Sequence, residues 1–85
     1  MQEYLEKTRQ ELKLRNYSFK TIKAYLGCLQ EYFSFQKINL EKIDEEKIKQ
    51  FLLNKQSKNY SSQTVNLYLN AINFFYREVL KIPKK

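Results

Sequence analysis

Apolar residues recur at three- and four-residue spacing along nearly the whole chain, which is the period of an amphipathic helix. Leu5, Thr8 and Leu12, with Tyr4 beside them, predict a first helix from Gln2 to Leu14. A second begins at Ser18 and runs to about Lys37, with Ile22, Tyr25, Leu26, Leu29, Tyr32 and Phe33 inward. A third begins at Asp44, covers Glu45 to Gln56, and buries Ile48, Phe51 and Leu52. The fourth begins near Ser61 and runs to about Lys81, burying Val65, Tyr68, Leu69, Ile72, Phe75, Tyr76 and Val79. One Gly and one Pro in 85 residues leave few turn residues for strands and hairpins.

The helix starts carry their own signals. Ser18, Asp44 and Ser61 are N-caps, because each side-chain oxygen can accept a free first-turn N–H. Each follows an apolar residue (Tyr17, Ile43, Tyr60), with a second apolar residue five positions on (Ile22, Ile48, Val65), which is the spacing of a hydrophobic staple. Asn16 suits a left-handed cap ending the first helix. Ile38 to Ile43 is the one sizeable interior connector. Residues 1–82 read as one domain. Pro83 ends the order, and residues 83–85 start a linker or tail.

The chain also repeats itself. Asn16 to Phe33 reads NYSFKTIKAYLGCLQEYF, and Asn59 to Tyr76 reads NYSSQTVNLYLNAINFFY. Asn, Tyr, Ser, Thr, Tyr and Leu recur at matching places, and each copy is the second helix of a helical hairpin. Two such hairpins can close one core by packing across each other. Convergence of two capped amphipathic helices would give part of the same likeness.

Composition narrows the chemistry. Sixteen Lys and Arg against nine Asp and Glu give a formal charge of +7, which points to an anionic partner. With no His and a single Cys, a Cys/His zinc site and an internal disulfide are both ruled out. Neither a Gly-rich phosphate loop nor a nucleophile–base pair is present, so no cofactor, metal site or catalytic residue is expected. No apolar run reaches the ~18 residues of a membrane helix, and the N-terminus lacks a signal-peptide core. The two Asn-Tyr-Ser sequons are read as caps rather than glycosylation sites.

Two polar stripes mark a candidate binding face. On the fourth helix, Gln63, Asn66, Asn70, Asn73 and Arg77 fall on one narrow side, and the matching residues of the second are Lys20, Lys23, Gly27, Gln30 and Ser34. Neither stripe holds an acid. Asn and Gln can pair with adenine edges in a major groove, Lys and Arg can hold phosphates, and Ser and Thr at helix N-termini suit phosphates too. A plain surface in an Asn- and Lys-rich chain is the other reading. Leu67, Ala71 and Phe74 form a second apolar flank on the fourth helix, with a milder analogue in Ala24, Cys28 and Phe35. That flank fits either a central helix packed on two sides or a docking patch.

Ser18-x-x-Thr21-x-x-x-Tyr25, then Leu29 and Phe33, resembles the N-terminal core-binding domain of tyrosine recombinases, the phage integrases. Ile43-Asp44, Ile48 and Phe51-Leu52 are similar to that family's third helix. Ser61-x-x-Thr64-x-Asn66-x-x-Leu69-x-Ala71-x-x-x-Phe75-Tyr76 is similar to its fourth. The resemblance runs from about Leu5 to Pro83. It implies an all-α, four-helix SAM-like bundle of two crossed α-hairpins that forms one half of a clamp on double-stranded DNA at a recombination core site. Its implied partners are that DNA, a C-terminal catalytic domain of the same parent chain, and other recombinase protomers on DNA, in a cytoplasmic setting. The family's strand-cutting residues are absent from this chain, so it is not expected to be an enzyme by itself. By position, the implied DNA contacts are Lys20, Thr21 and Lys23, with Ser62, Gln63, Thr64, Asn66, Asn70, Asn73 and Arg77. A SAM-like protein–protein module is the alternative, favoured by the Leu67, Ala71 and Phe74 flank. A small RNA-binding domain is weaker, since the aromatics look buried rather than set out as a stacking platform.

Overall fold

The computed structural model describes residues 2–36 and 42–82. The helices are α1 (Gln2–Leu14), α2 (Phe19–Phe35), α3 (Glu45–Ser57) and α4 (Ser62–Phe74), the last continuing as a π turn over Phe75–Val79. Most of the connector before Ile43, the expected last residue of the second helix at Lys37, and the tail from Pro83 lie outside the described residues.

The caps form as expected. Ser18, Asp44 and Ser61 each accept the backbone N–H three residues on, from Thr21, Lys47 and Thr64. Asn16 takes a left-handed backbone at φ 62°, and so does Asn59 at φ 65°. At the end of α1 the Tyr17 N–H reaches Leu12 O at 3.1 Å, and at the end of α3 the Tyr60 N–H reaches Lys55 O at 3.4 Å. These left-handed turns satisfy carbonyls that a helix end leaves open.

A shift of 43 residues, the register of the sequence repeat, carries Gln2–Leu14 onto Glu45–Ser57 and the start of α2 onto the start of α4. The repeat therefore spans both hairpins and not only their second helices. The contacts are reciprocal under the same shift. The Tyr25 ring lies 6.1 Å from the Phe74 ring, and their counterparts exchanged are Tyr68 and Glu31, joined by a 2.8 Å hydrogen bond. Tyr32 meets Tyr76 at 6.3 Å between rings, and Phe33 meets Phe75 at 4.9 Å, again an exchanged pair. When residue i touches j and each one's counterpart touches the other, the halves are related by an approximate two-fold. Here that axis passes between α2 and α4.

The core forms along this crossing. Leu12, Leu29, Tyr32, Ala71, Ile72 and Phe75 are fully enclosed. The Tyr32 and Tyr76 hydroxyls, 3.1 Å apart, satisfy each other inside it, as buried polar groups must. Thr8, also enclosed, donates to the Tyr4 carbonyl at 2.7 Å. Ala71 and Phe74 are buried and Leu67 half-buried, so α4 is a central helix packed on two sides and the docking-patch reading of that flank is overturned. Of its milder counterpart on α2, Cys28 is buried and Phe35 lies at the surface.

The last part of α4 departs from the expected regular helix to Lys81. Leu80 donates to Phe75 O at 3.0 Å, an i→i+5 bond, and Lys81 is left-handed at φ 55°. Phe74, Phe75 and Tyr76 are all buried. Three consecutive inward aromatics span a wider arc than one helix face offers, and the wider turn begins among them, at Phe75.

The two halves are not chemically identical, and the plainest difference is an ion pair. Leu12 and Phe74 pack together with Ile22, and their counterparts are Lys55 and Glu31, which form an ion pair. The Lys55 side chain is only 9% exposed, and its ammonium lies 5.1–5.6 Å from the ring centres of Phe51, Tyr60 and Tyr68. A buried ammonium needs such compensation. Burial works to raise the Glu31 pKa, but hydrogen bonds from Lys55 and Tyr68 and the charge of Lys55 outweigh it and hold the carboxyl below its ordinary value.

Two stability measurements follow from this packing. A Cβ added to Gly27 would meet nothing within 4 Å. Gly27→Ala should therefore raise unfolding free energy by about 1 kcal/mol, read from urea titration; an unchanged or lower midpoint would contradict the open space. A depressed carboxylate stabilises the fold above its unfolded pKa and loses that contribution as pH falls through the lower folded value. Unfolding free energy should thus decline as pH drops below 4.5. Glu31→Gln should remove part of that decline, less than about 1 kcal/mol because half the carboxylate is in solvent. An acid limb identical in the two proteins would show that the ion pair contributes nothing.

Candidate nucleic-acid interface

The two hairpin tips share one backbone design. A left-handed Asn is followed by a Tyr that turns back onto its own helix, Tyr17 on Tyr25 at 5.9 Å and Tyr60 on Tyr68 at 6.2 Å. A cap serine comes next. Ser18 Oγ accepts the Thr21 N–H at 3.2 Å and donates to its Oγ1 at 2.9 Å. Ser61 Oγ accepts the Thr64 N–H at 3.2 Å, and the two hydroxyls share a bond of 3.0 Å. Each tip therefore projects a rigid first turn of α2 or α4.

The predicted contact residues divide by their surroundings. Lys20, Lys23, Ser62, Gln63, Asn66 and Asn70 are exposed. Among the described residues, the side chains of these six form no hydrogen bond or ion pair. Thr21 and Thr64 are half-buried with their hydroxyls spent on the cap serines, so they hold the first turn in place. Asn73, half-buried, and Arg77 border a groove of about 470 Å³ between α3 and α4 that also holds Glu45 and Glu46. Arg77 donates to Glu78 at 2.8 Å with two-thirds of its side chain in solvent. Glu78 also accepts from Arg15. The hydrogen bond from Arg77 is the main reason its carboxyl sits below the ordinary range, despite some burial.

Each stripe is thus open to solvent at its first turns and meets other elements further along. On α2, Gly27, Gln30 and Ser34 border a shallow depression against Asn54 and Lys55 of α3. On α4 the groove against α3 takes Asn73, in the regular helix, and Arg77, which lies within the π turn. From Ser62 to Tyr76 there is no charged residue. The tip of α2 carries cations and the tip of α4 carries amides. Cations of the first kind can take phosphates, and amides of the second can take base-edge hydrogen bonds.

Phe19, 79% exposed, and Leu14, 78% exposed, also stand at the first tip. The periodicity argument gives them no role, because both fall outside the apolar arcs. That exclusion is itself the signal, since a large aromatic at the first position of a helix with nothing to cover it has no packing purpose.

The internal tyrosines are committed elsewhere. Burial, reinforced by the hydrogen bond between them, pushes the Tyr32 hydroxyl far above its ordinary range, and burial raises Tyr76 as well. Tyr68 is raised by burial and by its bond to Glu31. Cys28 is enclosed, and burial lifts its thiol to about 11. Among the described residues no group of His, Cys, Asp and Glu is placed to hold a metal ion, and no helix is long and apolar enough to cross a membrane.

A model of the N-terminal SAM-like domain of phage integrase matches residues 4–85. The chain belongs to this family. No curated protein matches it. The integrase match covers the four helices from Tyr4 onward, and the all-α arrangement of two crossed hairpins is the fold the resemblance implied. What is matched is the N-terminal domain of integrase, without a catalytic domain.

The tip design gives a test of its own. Ser61→Ala should cost about 1 kcal/mol of stability through removal of the cap, and amide exchange should quicken first at Thr64. Unchanged protection at Thr64 would show that the hydroxyl pair does not hold the turn.

Proposed function

We propose that this integrase N-terminal domain binds double-stranded DNA at a recombination core site, as one half of a clamp. The catalytic domain of the same parent protein closes the other half and performs the strand chemistry, so this domain is not itself an enzyme. Other recombinase protomers on the same DNA are its further partners, and the setting is cytoplasmic. The observation that carries this reading is the pair of acid-free polar stripes, exposed and unengaged at the tips of α2 and α4 in a chain of net charge +7.

In this reading Lys20 and Lys23 hold phosphates, while Gln63, Asn66 and Asn70 meet base edges. Ser62 and the first-turn amides of α4, held by Ser61 and Thr64, add phosphate contacts. Arg77 and Asn73 contribute from the lower end of the stripe. The protein–protein alternative loses its support, because the flank it relied on is inside the core.

Titration of a generic duplex into isotope-labelled protein should shift backbone amides of residues 18–30 and 61–77, and raised salt should erase the shifts. Lys20→Ala and Lys23→Ala should weaken all duplexes alike and flatten the log–log salt slope by about 0.9 for each phosphate that is no longer neutralised. Asn66→Ala and Asn70→Ala should reduce sequence preference more than general affinity. Absence of any amide shift at low salt would sink the DNA reading.

A further inference from the structure

We infer that Phe19 is a DNA-contacting residue that packs against thymine methyl groups in the major groove. This inference rests on the proposed function and adds a recognition chemistry to it. Phe19 is 79% exposed, the most exposed of the large hydrophobic residues among the described residues. It occupies the first position of α2, directly after the cap serine and directly before Lys20. On a helix it shares a side with Lys23, four positions on. Its counterpart under the internal two-fold is Ser62, and that of Lys23 is Asn66, both on the DNA face of the proposed function.

The surroundings say what covers it. Lys13, Lys20 and Lys23 bring positive charge to this tip, and α2 carries no acid before Glu31. Arg15 adds little, because it is paired with Glu11 and Glu78. An apolar ring set among cations fits a partner that is anionic along its backbone and presents apolar groups between its phosphates. Duplex DNA does so in the major groove, where the thymine methyl is the one apolar feature of the base edges. A helix end also fits that groove. The two tips then divide the reading, with Asn and Gln on α4 taking hydrogen bonds and Phe19 on α2 taking methyl contact.

The chain supplies its own control substitution. Phe19→Ser installs the residue found at the two-fold-related place, and Phe19 lies outside the core, so thermal unfolding should be unchanged. Binding of the wild type and Phe19→Ser would be followed by fluorescence anisotropy at low salt. The two probes are an alternating adenine–thymine duplex, with a methyl at every step, and the same duplex with uracil for thymine. The wild type should bind the thymine duplex about fourfold more tightly than the uracil duplex for one buried methyl. Phe19→Ser should bind both equally, at the wild type's uracil level, with the salt slope unaltered. An equal preference for thymine in both proteins, or a Phe19→Ser that binds as the wild type does, would overturn the inference while leaving the DNA reading intact. Failure of the wild type to bind either duplex would remove the DNA reading and this inference together.

Discussion

The crossing of α2 over α4 is the contact on which the rest of the molecule depends. At its centre Tyr32, Phe33, Phe75 and Tyr76 interlock edge to face, with Phe33 and Phe75 only 4.9 Å apart and the two tyrosine hydroxyls bonded to each other. Aromatic pairs in this geometry contribute about 0.5–1.5 kcal/mol each beyond the area they bury. In a chain this short the core has little to spare. α1 and α3 pack against the outside of this crossing. Because the crossing is nearly two-fold, each hairpin meets the other through the same set of positions.

The break in that symmetry is informative. One half uses Leu12 against Phe74, and the other uses Lys55 against Glu31 at the equivalent places. The apolar pair closes its half and leaves no polar group to satisfy. The charged pair must be compensated, and the aromatic box of Phe51, Tyr60 and Tyr68 with the Tyr68 hydroxyl provides it. Replacing an ion pair of this kind by apolar residues is often neutral or stabilising, and the molecule carries its own example of that replacement in the other half.

Much of this is legible in the sequence, and the residues show why. The caps at Ser18, Asp44 and Ser61 and the left-handed Asn16 are local choices fixed by a few neighbouring atoms, so local chemistry predicts them. The inward faces of α1, α2 and α4 follow from periodicity alone. Periodicity does not decide the burial of Phe74 and Ala71, because it depends on what stands beside α4. Nor does it mark Lys55 as a buried residue, since only Glu31, Tyr68 and Phe51, brought together from two other helices and its own, make that site tolerable. The π turn escapes the sequence for a related reason. It answers the demand of three adjacent aromatics for one core, and spacing along a single helix does not state that demand. At the candidate interface, exposure of Lys20, Lys23, Gln63, Asn66 and Asn70 follows from their place opposite the apolar arc. The diversion of the Thr21 and Thr64 hydroxyls into the caps needs the cap geometry itself.

A duplicated hairpin of this kind separates what packing constrains from what recognition can change. Inside, most counterparts are alike or exchanged as compensated pairs, because a single change there opens a cavity or strands a charge. Outside, the counterparts have diverged freely: Phe19 with Ser62, Lys20 with Gln63, Lys23 with Asn66. The result is a surface with two-fold backbone geometry and no two-fold chemistry. A protein face with true two-fold symmetry matches a palindromic site and reads both directions alike. With cations and an aromatic at one tip and amides at the other, the two tips offer different chemistry, and under the proposed DNA reading only one orientation of a duplex satisfies both.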